Sequence, residues 1–252
     1  MIVELQYPFT GSWLVQNSPA DRVPSHGTRL LGTSYAIDFT PVDGNGRSAR
    51  FTPASLFRPE PPEHFAGFGR AVRAPLSGLV CAAHDGETDH AAFRGFPSIG
   101  YAATQGRRVR SGWLGLAGNY VMIESAGMFV ALCHLKRQSV SVRPGQRVES
   151  GEVVGACGNS GNSTEPHLHV QAMDGPDPEQ ASAVPITSRA GCRGTGLSCQ
   201  FDGCPDAGAR WFRVLKHRQA SGCVPLACVN GGPCGARTHD PRIKSPMLYQ
   251  LS

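Results

Sequence analysis

At 252 residues, 40% of them hydrophobic and 17% charged, the chain can bury one sizeable core and a modest appendage. Its formal charge of +5 is unevenly placed: residues 1–190 hold 16 Lys and Arg against 16 Asp and Glu, and residues 191–252 hold 8 against 3. A neutral main body has no electrostatic footprint for a phosphate backbone, which removes nucleic acid from the expected partners.

Cysteine divides in the same way. Cys81, Cys133 and Cys157 are spread through the main body, and the other six fall between Cys192 and Cys234, so the main body does not read as disulfide-stapled. Met1 to Leu14 shows no basic n-region, apolar secretory stretch or small-residue cleavage site, so the sequence as written reads as unexported and cytoplasmic. No stretch approaches the roughly 20 apolar residues of a membrane span.

With 20 prolines, 31 glycines and only short apolar runs such as Tyr120 to Ile123 and Met128 to Cys133, many short strands are expected rather than long helices. In chain order, a β-like stretch at Trp13 to Val15 leads through a polar loop, Pro24 to Gly32, into a strand from Ser34 to Thr40 that carries Asp38. Residues 43–70 have neither helical nor strand period and read as a long surface loop. A strand over Ala74 to Ala82 is followed by a second loop, Asp85 to Gly112. Tyr120 to Ser125 and Met128 to His134 flank Ala126-Gly127 as a hairpin. Then come Val140 to Val142, the Pro144-Gly145 turn, Val148 to Cys157, a glycine-rich turn over Gly158 to Ser163, and a strand from His167 to Met173. After Ile186 the texture changes, which divides the chain into a main domain, 1–190, and a basic Cys-rich tail, 191–252.

The densest chemical signal is the run from Gly158 to His169, ending Pro166-His167-Leu168-His169. On a strand His167 and His169 project from one face, roughly 7 Å apart, while Leu168 points into the core. A bare His-x-His is weak evidence, since about 0.3 such pairs arise by chance in a chain of this composition. Asp38 sits among Tyr35, Ala36, Ile37 and Phe39, and a carboxylate there is costly to bury unpartnered. A metal ion, a backbone contact or an arginine would each serve. Catalytic zinc takes three His, Asp or Glu ligands and keeps a fourth position for water, a count that His26, Asp38 and one of the paired histidines satisfy. His84 and His90, in a polar loop with Asp85 and Asp89, read as solvated surface, and His64 as a loop residue.

Taken together, Ser25-His26, Tyr35-Ala36-Ile37-Asp38-Phe39, Ala74 to Val80, Asn119 to Ile123, Leu132-Cys133-His134-Leu135, Val142 to Val148 and Pro166-His167-Leu168-His169 resemble, in that order, the lysostaphin-type peptidoglycan endopeptidases. The likeness covers about residues 10–186. It implies an all-β fold, a small antiparallel β-sheet or sandwich domain of the duplicated hybrid motif type. It also implies one zinc ion on His26, Asp38 and His169, with His134 and His167 as the acid/base histidines, acting on peptidoglycan or other short peptides at the cell envelope or outside the cell. The twelve positions from His26 to Asp38 exceed the short His-x-x-x-Asp spacing of lysostaphin itself, and Cys133 replaces a commonly small residue. A non-catalytic relative that binds the wall or regulates a hydrolase would be expected to have lost ligands. A sugar-transport phosphocarrier needs neither Asp38 nor a metal.

The tail's Cys199-x4-Cys204 and Cys223-x4-Cys228-x5-Cys234 lack the paired Cys-x-x-Cys spacing of common zinc modules. Gly235 to Ser252 looks like a recurrent conceptual translation of transfer-RNA gene sequence. That predicts a frame shift after about Ile186 and a poorly ordered tail.

Overall fold

The structure is a computed structural model and describes residues 2–188. The expectations for the tail lie outside these residues. Twelve strands are described: β1 Val3–Leu5, β2 Trp13–Val15, β3 Ile37–Pro41, β4 Ala71–Arg73, β5 Gly78–His84, β6 Asn119–Ser125, β7 Met128–Leu135, β8 Arg147–Val148, β9 Val153–Ala156, β10 Leu168–Met173, β11 Ala183–Val184 and β12 Ile186–Ser188. Eight form one antiparallel sheet in the order β2-β3-β10-β7-β6-β5-β8, with β11 also on β10. Two small pairs complete the fold, β4 with β9 antiparallel and β1 with β12 parallel. The antiparallel all-β expectation holds. The fold also reaches past the change of texture, because Thr187 and Ser188 pair with Glu4 and Leu5.

Both faces of β10 are covered, and every residue in it is buried. Leu168, Val170 and Ala172 pack into the main core with Ile37, Val80, Val121 and Leu132. On the other face Met173 joins Met122, Ala131 and Cys133 in a second cluster. This period of two is the sequence alternation made physical, and each fully buried Leu or Val contributes roughly 1.5–3 kcal/mol. The β6–β7 hairpin turns on Ala126 and Gly127, both at positive φ, as a two-residue primed turn requires.

The second expected loop is corrected. Within and just after it the chain forms α1 Pro97–Ala103, α2 Gln105–Arg110 and α3 Gly112–Ala117. Helices of six or seven residues do not stand alone in water, and tertiary contacts hold these. The Tyr101 ring stacks on Phe93 at 4.5 Å, and the Arg108 guanidinium lies 3.7 Å over Tyr101 while donating to Asn162 Oδ1 at 2.6 Å. Pro97 pre-sets the first turn of α1. Such support leaves no helical period to read. By contrast, residues 43–70 are loop with two short 3-10 turns, as expected.

Candidate metal centre

Strand register assembles the site. β10 pairs with β3 so that His169 lies opposite Asp38, and with β7 so that His169 lies opposite Cys133. His26 arrives from the loop before β3, which is closed by Ser25 N–H donating to the Ser34 carbonyl at 3.0 Å. One donor atom each from His26, Asp38 and His169 lies within 4.8 Å of the other two. Asp38 Oδ2 is 2.9 Å from His26 Nε2, and Asp38 Oδ1 is 2.8 Å from His169 Nδ1. The Asp38 side chain is 7% exposed and that of His26 is 20% exposed, so solvent reaches the cluster from the His26 side.

Outer partners decide where the ring protons sit. The Ser25 hydroxyl donates to the Thr33 carbonyl at 3.1 Å and so can only accept from His26 Nδ1 at 2.9 Å. The Gln171 amide nitrogen faces the Leu31 carbonyl at 2.8 Å, which turns Oε1 toward His169 Nε2 at 2.9 Å. That ring nitrogen is therefore the donor. In both neutral rings the remaining lone pair, His26 Nε2 or His169 Nδ1, then points at the Asp38 carboxylate. Facing lone pairs repel unless positive charge lies between them, either a proton on each ring or one cation shared by all three side chains. The donor set of two imidazoles and a carboxylate, each with an outer partner (for Asp38, the Asn17 amide at 2.7 Å), fits a divalent metal of zinc's preferences.

The electrostatics agree. Burial would raise the Asp38 carboxyl, but the charges of His26 and His167 and the hydrogen bonds from His169 and His26 outweigh it and hold the group well below the usual range. Burial likewise opposes a proton on His169, yet the hydrogen bond and charge of Asp38, helped by Gln171, raise it. Cys133 is not among the donors: burial pushes its thiol up, and it packs as a small apolar side chain.

The two remaining histidines stand beside this cluster. The His134 ring is 4.6 Å from that of His167 and 5.8 Å from that of His169, centroid to centroid. Both are oriented by the segment between β9 and β10. His134 Nδ1 donates to the Ser160 carbonyl at 2.9 Å and His167 Nδ1 to the Glu165 carbonyl at 2.8 Å, which leaves each Nε2 as the reactive nitrogen. Burial, then the neighbouring His167 and His169, keeps His134 neutral by lowering its pKa well below the ordinary value. His134 also has a backbone φ of +62°, and the register jumps from Asn119–Leu135 to Val121–Leu132. Cys133 and His134 thus oppose Tyr120 alone in a β-bulge. Regular alternation would place His134 on the Leu132 side in the core, and the bulge turns it toward the other histidines.

All five expected site residues are brought together. Sequence reasoning misses Asn17, Ser25, Gln171 and Ser163, whose hydroxyl lies 2.9 Å from His167 Nδ1. Of these only Gln171 had a readable signal, a polar side chain two positions beyond His169 on the same face of a buried strand. The solvated-surface reading of His90 is corrected: it is half-buried, and its ring nitrogens face the carbonyls of Ala91 at 2.9 Å and Gly161 at 3.0 Å. His64 is an exposed residue of a short 3-10 turn, as expected.

Comparison with known proteins shows what the chain is similar to. Residues 88–181 match the model of peptidase family M23, a stretch that holds His134, His167 and His169 but contains neither His26 nor Asp38. The peptidoglycan DD-endopeptidase ShyC of Vibrio cholerae is 36% identical over 100 residues, 39% of this chain and 22% of that protein. Lysostaphin of Staphylococcus simulans is 37% identical over 75 residues, 29% of this chain and 15% of that one. The catalytic domain of the prophage-encoded M23 protein EnpA from Enterococcus faecalis superimposes with a TM-score of 0.39 at 18% identity, over 71% of this chain and 93% of that one. The chain therefore spans less than a quarter of the length of the curated relatives named here. The chain is thus similar to peptidase family M23 over residues 88–181 and to the lysostaphin-type peptidases over the stretches given above.

Proposed function

We propose that this chain is a zinc-dependent endopeptidase that hydrolyses peptide bonds in bacterial peptidoglycan, with His26, Asp38 and His169 holding the metal and His134 and His167 moving protons. The observation that carries the proposal is the convergence of His26 Nε2 and His169 Nδ1 on one buried carboxylate, with Ser25 and Gln171 on the opposite ring nitrogens. The names of the relatives, peptidoglycan DD-endopeptidase and lysostaphin, supply the substrate class.

Bound zinc would lower the pKa of a water molecule to about 7 and polarise the scissile carbonyl. His134 enters neutral, with Nδ1–H anchored on Ser160 and Nε2 free. It accepts the proton of the attacking water and returns it to the leaving amine. His167, anchored at Nδ1 by the Glu165 carbonyl, has its Nε2 3.7 Å from Asp38 Oδ1, where a proton on it would face the developing oxyanion. No helix among the described residues is long and apolar enough to cross a membrane.

The test is to incubate the purified full chain with muropeptides, with and without zinc, and to identify products by mass spectrometry. His134→Ala and His167→Ala should keep the wild-type zinc content and lose about 10²–10⁴ in turnover. Full turnover in either variant, or turnover that survives a chelator, would defeat the proposal.

A further inference from the structure

We infer that Gln171 is a positioning residue that holds both ends of the metal centre at once: it fixes which nitrogen of His169 faces Asp38, and it latches the loop that carries His26 onto β10. The first half rests on the metal reading above, whereas the second does not.

Gln171 is fully buried in the middle of β10, where an amide is retained only if its hydrogen bonds are made. Its Oε1 accepts from His169 Nε2, and its Nε2 donates to the Leu31 carbonyl at 2.8 Å and contacts Met173 Sδ at 3.0 Å. One planar group therefore connects the last ligand of the chain to the loop of the first, across 140 positions.

The loop is shaped to receive it. Leu31 has a φ of +58°, sparsely populated for a residue with a side chain, and this presents its carbonyl to the amide. Gly32 follows at φ +67°, and a Cβ there would meet Met173 Cγ at 2.7 Å and Sδ at 2.9 Å, with Gln171 Nε2 at 3.4 Å. The backbone comes down on β10 as closely as a chain can. An apolar side chain at 171 would fill the space and make neither bond. A glutamate would keep the acceptor for His169 and lose the donor for Leu31.

These two substitutions separate the two roles. In the full chain, Gln171→Leu should weaken zinc binding about 10- to 100-fold in competition with a chromophoric chelator, the usual effect of removing an outer partner of a ligating histidine. Gln171→Glu should recover most of that loss, which a merely space-filling role would not predict. In chelator-treated protein, trypsin cleavage after the exposed Arg29, followed by mass spectrometry, should quicken about three- to tenfold in both variants, as loss of one hydrogen bond at a loop allows. Wild-type zinc affinity in Gln171→Leu that still shows native near-ultraviolet dichroism would overturn the first role. Unchanged Arg29 cleavage in Gln171→Glu would overturn the second. A wild-type chain that takes up no zinc ends the metal reading and with it the first role, while the cleavage rates still decide the latch.

Discussion

Asp38→Asn is the most discriminating single change, because it removes one charge from the centre of the cluster with little change in volume. A unit charge pair about 4 Å apart is worth about 4 kcal/mol at an effective dielectric constant near 20, so deleting the carboxylate should raise the zinc dissociation constant about 10³-fold. At free zinc about 1,000 times the wild-type dissociation constant, binding stabilises the wild-type fold by about 4.1 kcal/mol and the variant by only about 0.4 kcal/mol. For a chain of this size each kcal/mol moves Tm by about 2–4 °C. The zinc-induced rise should then be about 8–16 °C in the wild type and about 1–2 °C in the variant.

The metal-free baseline also falls, for a separate reason. Asn17, His26 and His169 converge on the two oxygens of Asp38. An amide offers one acceptor where the carboxylate offered two, so a buried donor is left unpaired at about 1–3 kcal/mol. Differential scanning calorimetry with zinc and with chelator on the same samples cancels that baseline, and comparison between variants cancels any zinc held elsewhere on the chain. An equal zinc-induced rise in both proteins would refute the ligand role of Asp38.

Chelator-treated protein should also show two opposed pH dependences near neutrality. His134, whose pKa is lowered in the fold, makes stability fall as pH drops below about 6.5, where the unfolded histidine takes up a proton that the folded one refuses. His169, whose pKa is raised, contributes stability that is full below about 6.5 and is lost as pH rises through its folded value. Asp38, lowered, matters only in stronger acid, where its contribution fades as pH falls below about 3.9 toward its folded value. His134→Gln should therefore flatten the drop in urea midpoint between pH 6.5 and 5, and an unaltered slope would contradict the assignment. Gly161→Ala should lower stability by at least about 1–2 kcal/mol from its φ of +70° alone. Its Cβ would also meet Gly118 N at 2.5 Å and the Leu116 carbonyl at 2.6 Å, which would displace the Ser160 carbonyl that orients His134. Turnover should fall more than stability, and turnover that falls only in step with stability would deny the loop that orienting role.

What was legible in the sequence is what strand alternation encodes. His167, Leu168 and His169 sort to opposite faces of β10 because a strand has a period of two, and the Ala126-Gly127 hairpin is written in its turn residues. What was not legible is what breaks local rules for a tertiary reason. The three helices after Gly95 take their support from Phe93, Asn162 and one another rather than from an apolar stripe. The bulge at Cys133 and His134 reverses the face that alternation assigns to His134, and it leaves no mark in composition because the residue at positive φ is a histidine and not a glycine. Ser25 and Asn17 are ordinary polar residues until the fold supplies their partners.

The same reasoning shows why the long spacing from His26 to Asp38 does no harm. Two of the three candidate ligands are set by β-ladder register: His169 faces Asp38 as a direct antiparallel neighbour, and a slip of one residue would turn one of them to the opposite face. That register is secured by Leu168, Val170, Ile37 and Phe39 in the core, so burial of apolar surface fixes the distance between a carboxylate and an imidazole 131 positions apart. His26 needs only a loop that can fold back to the sheet, and loop-closure entropy rises slowly with length. A longer loop therefore alters the site little, provided that its far end is tied down, as the Leu31 carbonyl is on β10 by the Gln171 amide.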